Sequence, residues 1–297
     1  MGRFGWTLDM IDPAELIGNA FIALALAYPL VLGYAILRDL YKFDNFFIGS
    51  IYTAGLYLHV LQLPGQGDVV DITLYWGLIF SIVVLALLIN RVVLFSLNGA
   101  RAEKPLIASL GLYFSFQQLF SVVFGDAVLF TNTGRLAGFA DLSNWTPEGR
   151  HAVAIIISLG AAAVFAIVAR GTEIGMRMRA VADSPGLAAA LRIDVNRVQV
   201  TGAVIAICLV LAASMLAAPE SGAHPMAGFG PMLLAFPVCM LGGSPFFPQF
   251  HAVLAAVVFG QQLLAAYIPG EWVQSALYAF VLLALLSRPV GRFRWKR

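Results

Sequence analysis

Residues 14–37 read AELIGNAFIALALAYPLVLGYAIL, and Glu15 is the single charged side chain in the run. An α-helix crosses the ~30 Å of bilayer hydrocarbon with about 20 largely apolar residues, so this run is long enough to span. It is too long for the apolar core of a secretory leader. It also lacks the basic segment and small-residue cleavage site of one, so it is expected to stay in the protein. The rest of the chain shares its character. Of 297 residues, 60% are apolar and 11% charged, against ~45–50% and about 25% in soluble domains. Mean hydropathy is +0.86. A soluble fold of this length has too little interior to hide that much apolar surface. The composition excludes a water-soluble enzyme and a disordered chain, and leaves a protein that crosses the bilayer several times.

Eighteen Lys and Arg against sixteen Asp and Glu give a net charge of +2, too even for a nucleic-acid partner, which needs a basic face. Cys208 and Cys239 both lie inside apolar runs with no CxxC or metal-ligand spacing, so they read as packing thiols.

Nine runs qualify or nearly qualify as membrane segments: 14–37, 45–63, 72–97, 105–124, 151–169, 198–218, 230–243, 247–268 and 272–287. Two are weak. Segment 45–63 is short and polar-edged, and 230–243 is broken by Pro231, Pro237 and Gly242-Gly243. Such breaks are tolerated at membrane depth where the freed backbone groups meet protein or line a cavity. If all nine cross with the C-terminus inside, every basic residue except Arg3, Arg135 and Arg150 falls on the inner side, as the positive-inside rule asks. The expected fold is therefore an all-α, polytopic transmembrane helical bundle of eight or nine membrane segments with interrupted or re-entrant helices, N-out and C-in. It forms one transmembrane domain over 1–297. Eight crossings plus one re-entrant segment is the open alternative.

Two connections are long: 125–150 outside and 170–197 inside. In the second, Asp183-Ser184-Pro185 precedes Leu187–Arg192 (LAAALR). A capping residue, a first-turn proline and strong helix formers predict a short helix at the membrane surface with an alanine-rich face.

Little else carries chemistry. Ser244 with His251 or His224 as base would make an intramembrane hydrolase, but Gly243-Ser244-Pro245 lacks the glycine two residues after the serine, and the serine reads as sitting at a helix break. The span centres hold almost no ionisable groups, which speaks against ion coupling. Gln117, Gln118, Gln261 and Gln262 are expected to bond between helices. No GxxxxGK[ST] phosphate cradle is present, so any ATP site must lie on another subunit. The interrupted stretches Asn45–Ser50 and Leu241–Pro245, one in each half, point to a transport pathway.

These residues carry a family likeness. Asn45-Phe46-Phe47-Ile48-Gly49 stands where a motif like NFAHG follows the first span, with Tyr52, Ala54, Gly55 and Tyr57 behind it. Gly175, Arg179, Ala180, Ala188 and Ile193 match the main inside loop. Leu233, Ala235, Phe236, Leu241, Gly242 and Gly243, then Arg288, Pro289 and Gly291, match the C-terminal third. Over nearly its whole length the chain resembles the smaller membrane subunit of branched-chain amino-acid-type ABC importers, a group that includes urea and short-amide permeases. It departs from the pattern at Phe47-Ile48 (usually Ala-His), at Arg192 (usually glycine) and at Phe246, Phe247 and Phe250, in a region usually rich in glycine. The phenylalanines make the pathway bulkier and leave room for aromatic or other organic acids.

The resemblance implies a multi-pass subunit of the bacterial inner membrane that binds no cofactor itself. Its partners would be a second, homologous permease subunit, two ATPase subunits holding ATP and Mg, and a substrate-binding protein outside. ATPase coupling would fall to Gly175, Arg177, Arg179, Ala180, Asp183, Pro185, Ala188, Leu191 and Arg192. A solute path through hydrocarbon must offer dipoles and hydroxyls. Asn45, Ser50, Thr53 and Ser244 are the polar candidates, Phe46, Tyr52 and Phe236 the wall, and Gly49, Gly242 and Gly243 the breaks. A channel or facilitator needing no ATPase, and more remotely the Ser244 hydrolase, are the alternatives.

Overall fold

The computed structural model of the chain describes residues 13–60, 69–94, 103–130, 135–136, 140–141 and 147–286. The run that opens the chain becomes α1 (Pro13–Tyr41), begun by a proline whose missing N–H costs nothing at a helix start. Its partner is α8 (Val195–Ser221), against which α1 packs most extensively. Small residues let the two backbones approach: a Cβ on Gly33 would lie 2.7 Å from the Ala206 carbonyl oxygen, and one on Gly202 would lie 2.0 Å from Leu40. Gln199 of α8 fastens the pair, donating from Nε2 to the Leu40 carbonyl at 2.9 Å. Within their spanning windows 61% of α1 and 56% of α8 is buried, against 11% of α4 (Glu103–Phe124). The first and eighth helices are the core, and the perimeter helices turn apolar side chains outward.

That perimeter also holds α3 (Val69–Ile89), α5 (Pro147–Gly171) and α10 (Pro248–Tyr267). Among the described residues six helices are long and apolar enough to cross a membrane: α1, α3, α4, α5, α8 and α10. The weak segments of the sequence become short helices. α2 (Ile48–Val60) has 13 residues and α9 (Phe229–Gly242) has 14, so each spans only ~20 Å of the ~30 Å hydrocarbon. α11 (Gly270–Leu286) closes the described chain. Arg288, Pro289 and Gly291 lie outside the described residues, as does much of 125–150.

Four local features were not foreseen. α3 ends in a π-helical turn, Asn90–Leu94. Within 125–150 a small antiparallel pair, β1 (Arg135–Leu136) with β2 (Ala140–Asp141), interrupts the otherwise helical fold. Leu129 also pairs with Ala223 through backbone bonds of 2.9 and 2.8 Å, tying this connection to the one after α8. The long inside connection forms two helices rather than one, α6 (Glu173–Asp183) and α7 (Pro185–Ala190), hinged at Ser184.

Candidate functional site

Lys42 ends α1 in the left-handed region (φ 62°), its N–H bonded to the Arg38 carbonyl at 2.8 Å, the αL form of helix stop. The chain then turns through buried Asp44 and Asn45. The Asn45 side-chain oxygen accepts from the Phe47 N–H at 3.1 Å, an Asx turn that starts α2. Asp44 accepts from Arg38 Nε at 2.9 Å and from the Tyr34 hydroxyl at 3.0 Å. The same guanidinium donates to the Cys239 carbonyl at 2.9 Å, near the end of α9. The π-helical turn brings Asn90 to Asn45 Nδ2 at 3.4 Å, and Ser109 of α4 accepts from the Phe46 N–H at 3.2 Å. Contacts from α1, α3, α4 and α9 thus hold one buried corner.

Beyond the corner α2 meets the start of α9 backbone to backbone. A Cβ on Gly228 would lie 2.0 Å from the Gly49 carbonyl oxygen. Fully buried Thr53 bridges the contact: its hydroxyl donates to the Gly49 carbonyl and accepts from the Gly228 N–H, both at 3.0 Å. Phe46 and Phe236 face each other with ring centroids 6.0 Å apart.

The α6–α7 elbow is capped at each joint. Thr172 accepts from the Gly175 N–H at 3.2 Å, and Ser184 from the Leu187 N–H at 3.4 Å. A Cβ on Gly175 would lie 2.1 Å from the Val168 carbonyl oxygen, so the α5–α6 turn needs a glycine there. α7 ends in a Schellman motif, with Ile193 N–H on the Ala188 carbonyl and Arg192 N–H on the Ala189 carbonyl, both at 3.0 Å. Arg192 sits at φ 61°, the conformation for which glycine is the default; this accounts for the residue usual at that position. Gly175 and Ala188 are buried, Arg179, Ala180 and Pro185 half-buried, and Arg177, Asp183, Leu191 and Arg192 exposed. Leu187 and Leu191 are 66% and 69% exposed, so the elbow's outer face is apolar with cations beside it.

Lys42 joins elbow to corner. Its Nζ donates to the Ala182 carbonyl in the last turn of α6, where a cation meets the negative end of the helix dipole. Burial pushes the Lys42 ammonium below the ordinary lysine value, while Asp39 and Asp183 pull it back up. One turn earlier on α1, Arg38 makes the equivalent contact with the end of α9. The sequence reading missed Arg38, Lys42 and Asp44 as site residues. Two cations spaced i, i+4 at a helix end were the available signal.

The remaining pathway candidates are dispersed. Tyr52 lines a cavity of about 280 Å³ bounded by α1, α2, α8, α9, α10 and α11. Ser50 lines a second, apolar cavity of about 280 Å³ among α2, α3 and α4. Gly242 packs against Phe250, while Gly243 (φ 76°) meets open space. The Ser244 hydroxyl accepts from the Phe246 N–H at 3.4 Å. His251 pairs through Nδ1 with the Tyr28 hydroxyl at 3.0 Å, and among the described residues neither His251 nor His224 bonds the Ser244 hydroxyl. The expectation that Gln261 and Gln262 bond between helices is corrected: both line the Tyr52 cavity, and neither has a hydrogen bond among the described residues.

Over residues 16–286 the sequence matches a family model described as branched-chain amino acid transport system / permease component. Two curated relatives are the high-affinity branched-chain amino acid transport system permease proteins LivH of Salmonella typhimurium (strain LT2) and Escherichia coli (strain K12). Each is 24% identical over 304 residues, covering 97% of this chain and 96% of the relative. No solved structure matches the chain.

Proposed function

Since the chain belongs to the permease-component family of branched-chain amino acid transport systems, we propose that it is a membrane subunit of an ATP-driven importer for a small organic solute. It works beside a second, homologous permease chain, above two ATPase subunits, and receives solute from a binding protein outside the bacterial inner membrane. Eight or nine membrane segments, N-out and C-in, put the α6–α7 elbow on the ATPase side. The observation that carries the reading is the elbow itself. It is short and capped at both joints, and it exposes Leu187 and Leu191 beside Arg192. Two exposed leucines flanked by a cation suit a protein groove better than water.

Nucleotide binding closes the ATPases and displaces the elbow. The displacement passes through the Lys42–Ala182 contact into the last turn of α1, and from Arg38 into Asp44 and the end of α9. The broken stretches around Asn45–Ser50 and Gly242–Ser244 then alternate between the two access states. Few fixed charges line this route, so solute choice rests mainly on the delivering protein.

The test is the double variant Arg179→Ala/Asp183→Ala in the assembled complex. ATP hydrolysis continues, while ATP-driven accumulation of radiolabelled leucine, the probe solute, falls at least tenfold against wild type. Unchanged accumulation removes the elbow from the coupling route. A wild-type chain that purifies without any ATPase, yet equilibrates leucine across vesicles, is a facilitator instead.

A further inference from the structure

The cavity at Tyr52 gathers several polar side chains around one space. Tyr52, Gln261, Gln262 and Tyr278 converge on it, and none of the four has a hydrogen bond among the described residues. Tyr52 is only 4% exposed, so its hydroxyl is not simply facing bulk solvent. In a bilayer, polar groups left without partners must meet water, a solute or another chain, because lipid tails offer nothing. The remaining wall is apolar, with Leu30, Pro231, Leu234 and Val258 among it, and among the described residues no charged side chain lines the space.

The cavity's place along the bundle is fixed by α1. Ala27 and Leu30 line it, whereas Lys42, which reaches the elbow, lies fifteen residues past Ala27, about 22 Å along the helix. Ala217, in the closing turns of α8 and far from the Val195 end that follows the elbow, lines it too. The cavity therefore occupies the half of the bundle away from the α6–α7 elbow.

From these observations we infer that the Tyr52–Gln261–Gln262–Tyr278 cavity is a solute-holding chamber for a small, net-uncharged molecule that carries both hydrogen-bond donors and acceptors on an apolar body. The inference rests on the reading of the chain as a solute permease. Phenolic hydroxyls and carboxamides each donate and accept. Four of them around one space satisfy an ammonium and a carboxylate on the same solute, or a carboxamide, with no net charge to compensate. A dianion has no counter-charge there and is excluded by its desolvation. At about 280 Å³ the chamber is smaller than the ~300–1,000 Å³ pockets of drug-sized ligands, which limits the solute to roughly amino-acid size.

The experiment places one cysteine in the wall, Ala27→Cys, in a Cys208→Ser background that removes the exposed native thiol. The full chain is expressed with its partner subunits and labelled in membranes with a membrane-impermeant methanethiosulfonate. The thiol reacts at least tenfold faster than a control, Ile167→Cys, on the outward face of α5, where the native side chain is 67% exposed. Millimolar L-leucine, L-phenylalanine or propionamide slows the reaction at least threefold, whereas succinate and L-glutamate do not. In the Gln261→Leu/Gln262→Leu variant labelling persists but that protection is lost. Labelling no faster than the control overturns the proposal, as does protection by none of the neutral probes or equal protection by succinate. The labelling needs no nucleotide. Failure of ATP-coupled uptake therefore sinks the importer reading alone, and failure of labelling or protection sinks the chamber alone.

Discussion

The Asp44 corner and the Tyr52 cavity are both built from polar groups inside an apolar bundle, yet they use them in opposite ways. At the corner the guanidinium of Arg38 and the carboxylate of Asp44 are paired with each other and with Tyr34 and Cys239. In the cavity four neutral groups are left without internal bonds. A polar group that holds helices together is satisfied within the chain, and one kept for a visitor is left open. Polarity alone does not mark a pathway here; unmet hydrogen bonds gathered around one cavity do.

Several substitutions break or sharpen that contrast. The largest effect is expected from Arg38→Met, which leaves the Asp44 carboxylate buried and unpaired. Breaking a buried pair costs about 3–5 kcal/mol, and the folded chain should largely disappear from fluorescence-detected size exclusion. Next comes Gly228→Ala, whose methyl would lie 2.0 Å from the Gly49 carbonyl oxygen. Overpacking of this kind costs about 1–3 kcal/mol, read as a fall in the thermal midpoint. Lys42→Asn removes the bond to Ala182 but tolerates the left-handed backbone. It should cost about 1.5 kcal/mol of stability, the low end for a hydrogen bond to a charged group, yet uncouple ATP hydrolysis from uptake. Lys42→Arg should restore coupling. Arg192→Gly relieves the φ 61° strain and should raise stability by about 1 kcal/mol. The smallest change is expected at the cavity. Tyr52→Phe breaks no internal bond and should move the midpoint by less than about 0.5 kcal/mol. A large loss there would mean that its hydroxyl is structural and erase the distinction.

What the sequence made legible followed from local pattern. Long apolar runs marked α1, α5 and α8, and Ser184-Pro185 marked the start of α7. Polar edges and prolines marked α2 and α9 as the irregular pair, and both form helices too short to cross alone. The corner was not legible beyond Asn45. Arg38 and Cys239 lie 201 residues apart, Lys42 and Ala182 140, and no periodicity encodes a pairing at that separation. Arg38 and Lys42 were counted as positive charges flanking a span, which is also true. Gln261 and Gln262 were read as interhelical glue because neutral amides in spans usually are. Only the three-dimensional neighbourhood places them on an unfilled space.

Thr53 carries one more consequence. By holding Gly49 and Gly228 together at a contact with no room for a side chain, it pins the first turn of α2 to the start of α9. No gap can open between those two helix starts without breaking the Thr53 bond to the Gly228 N–H.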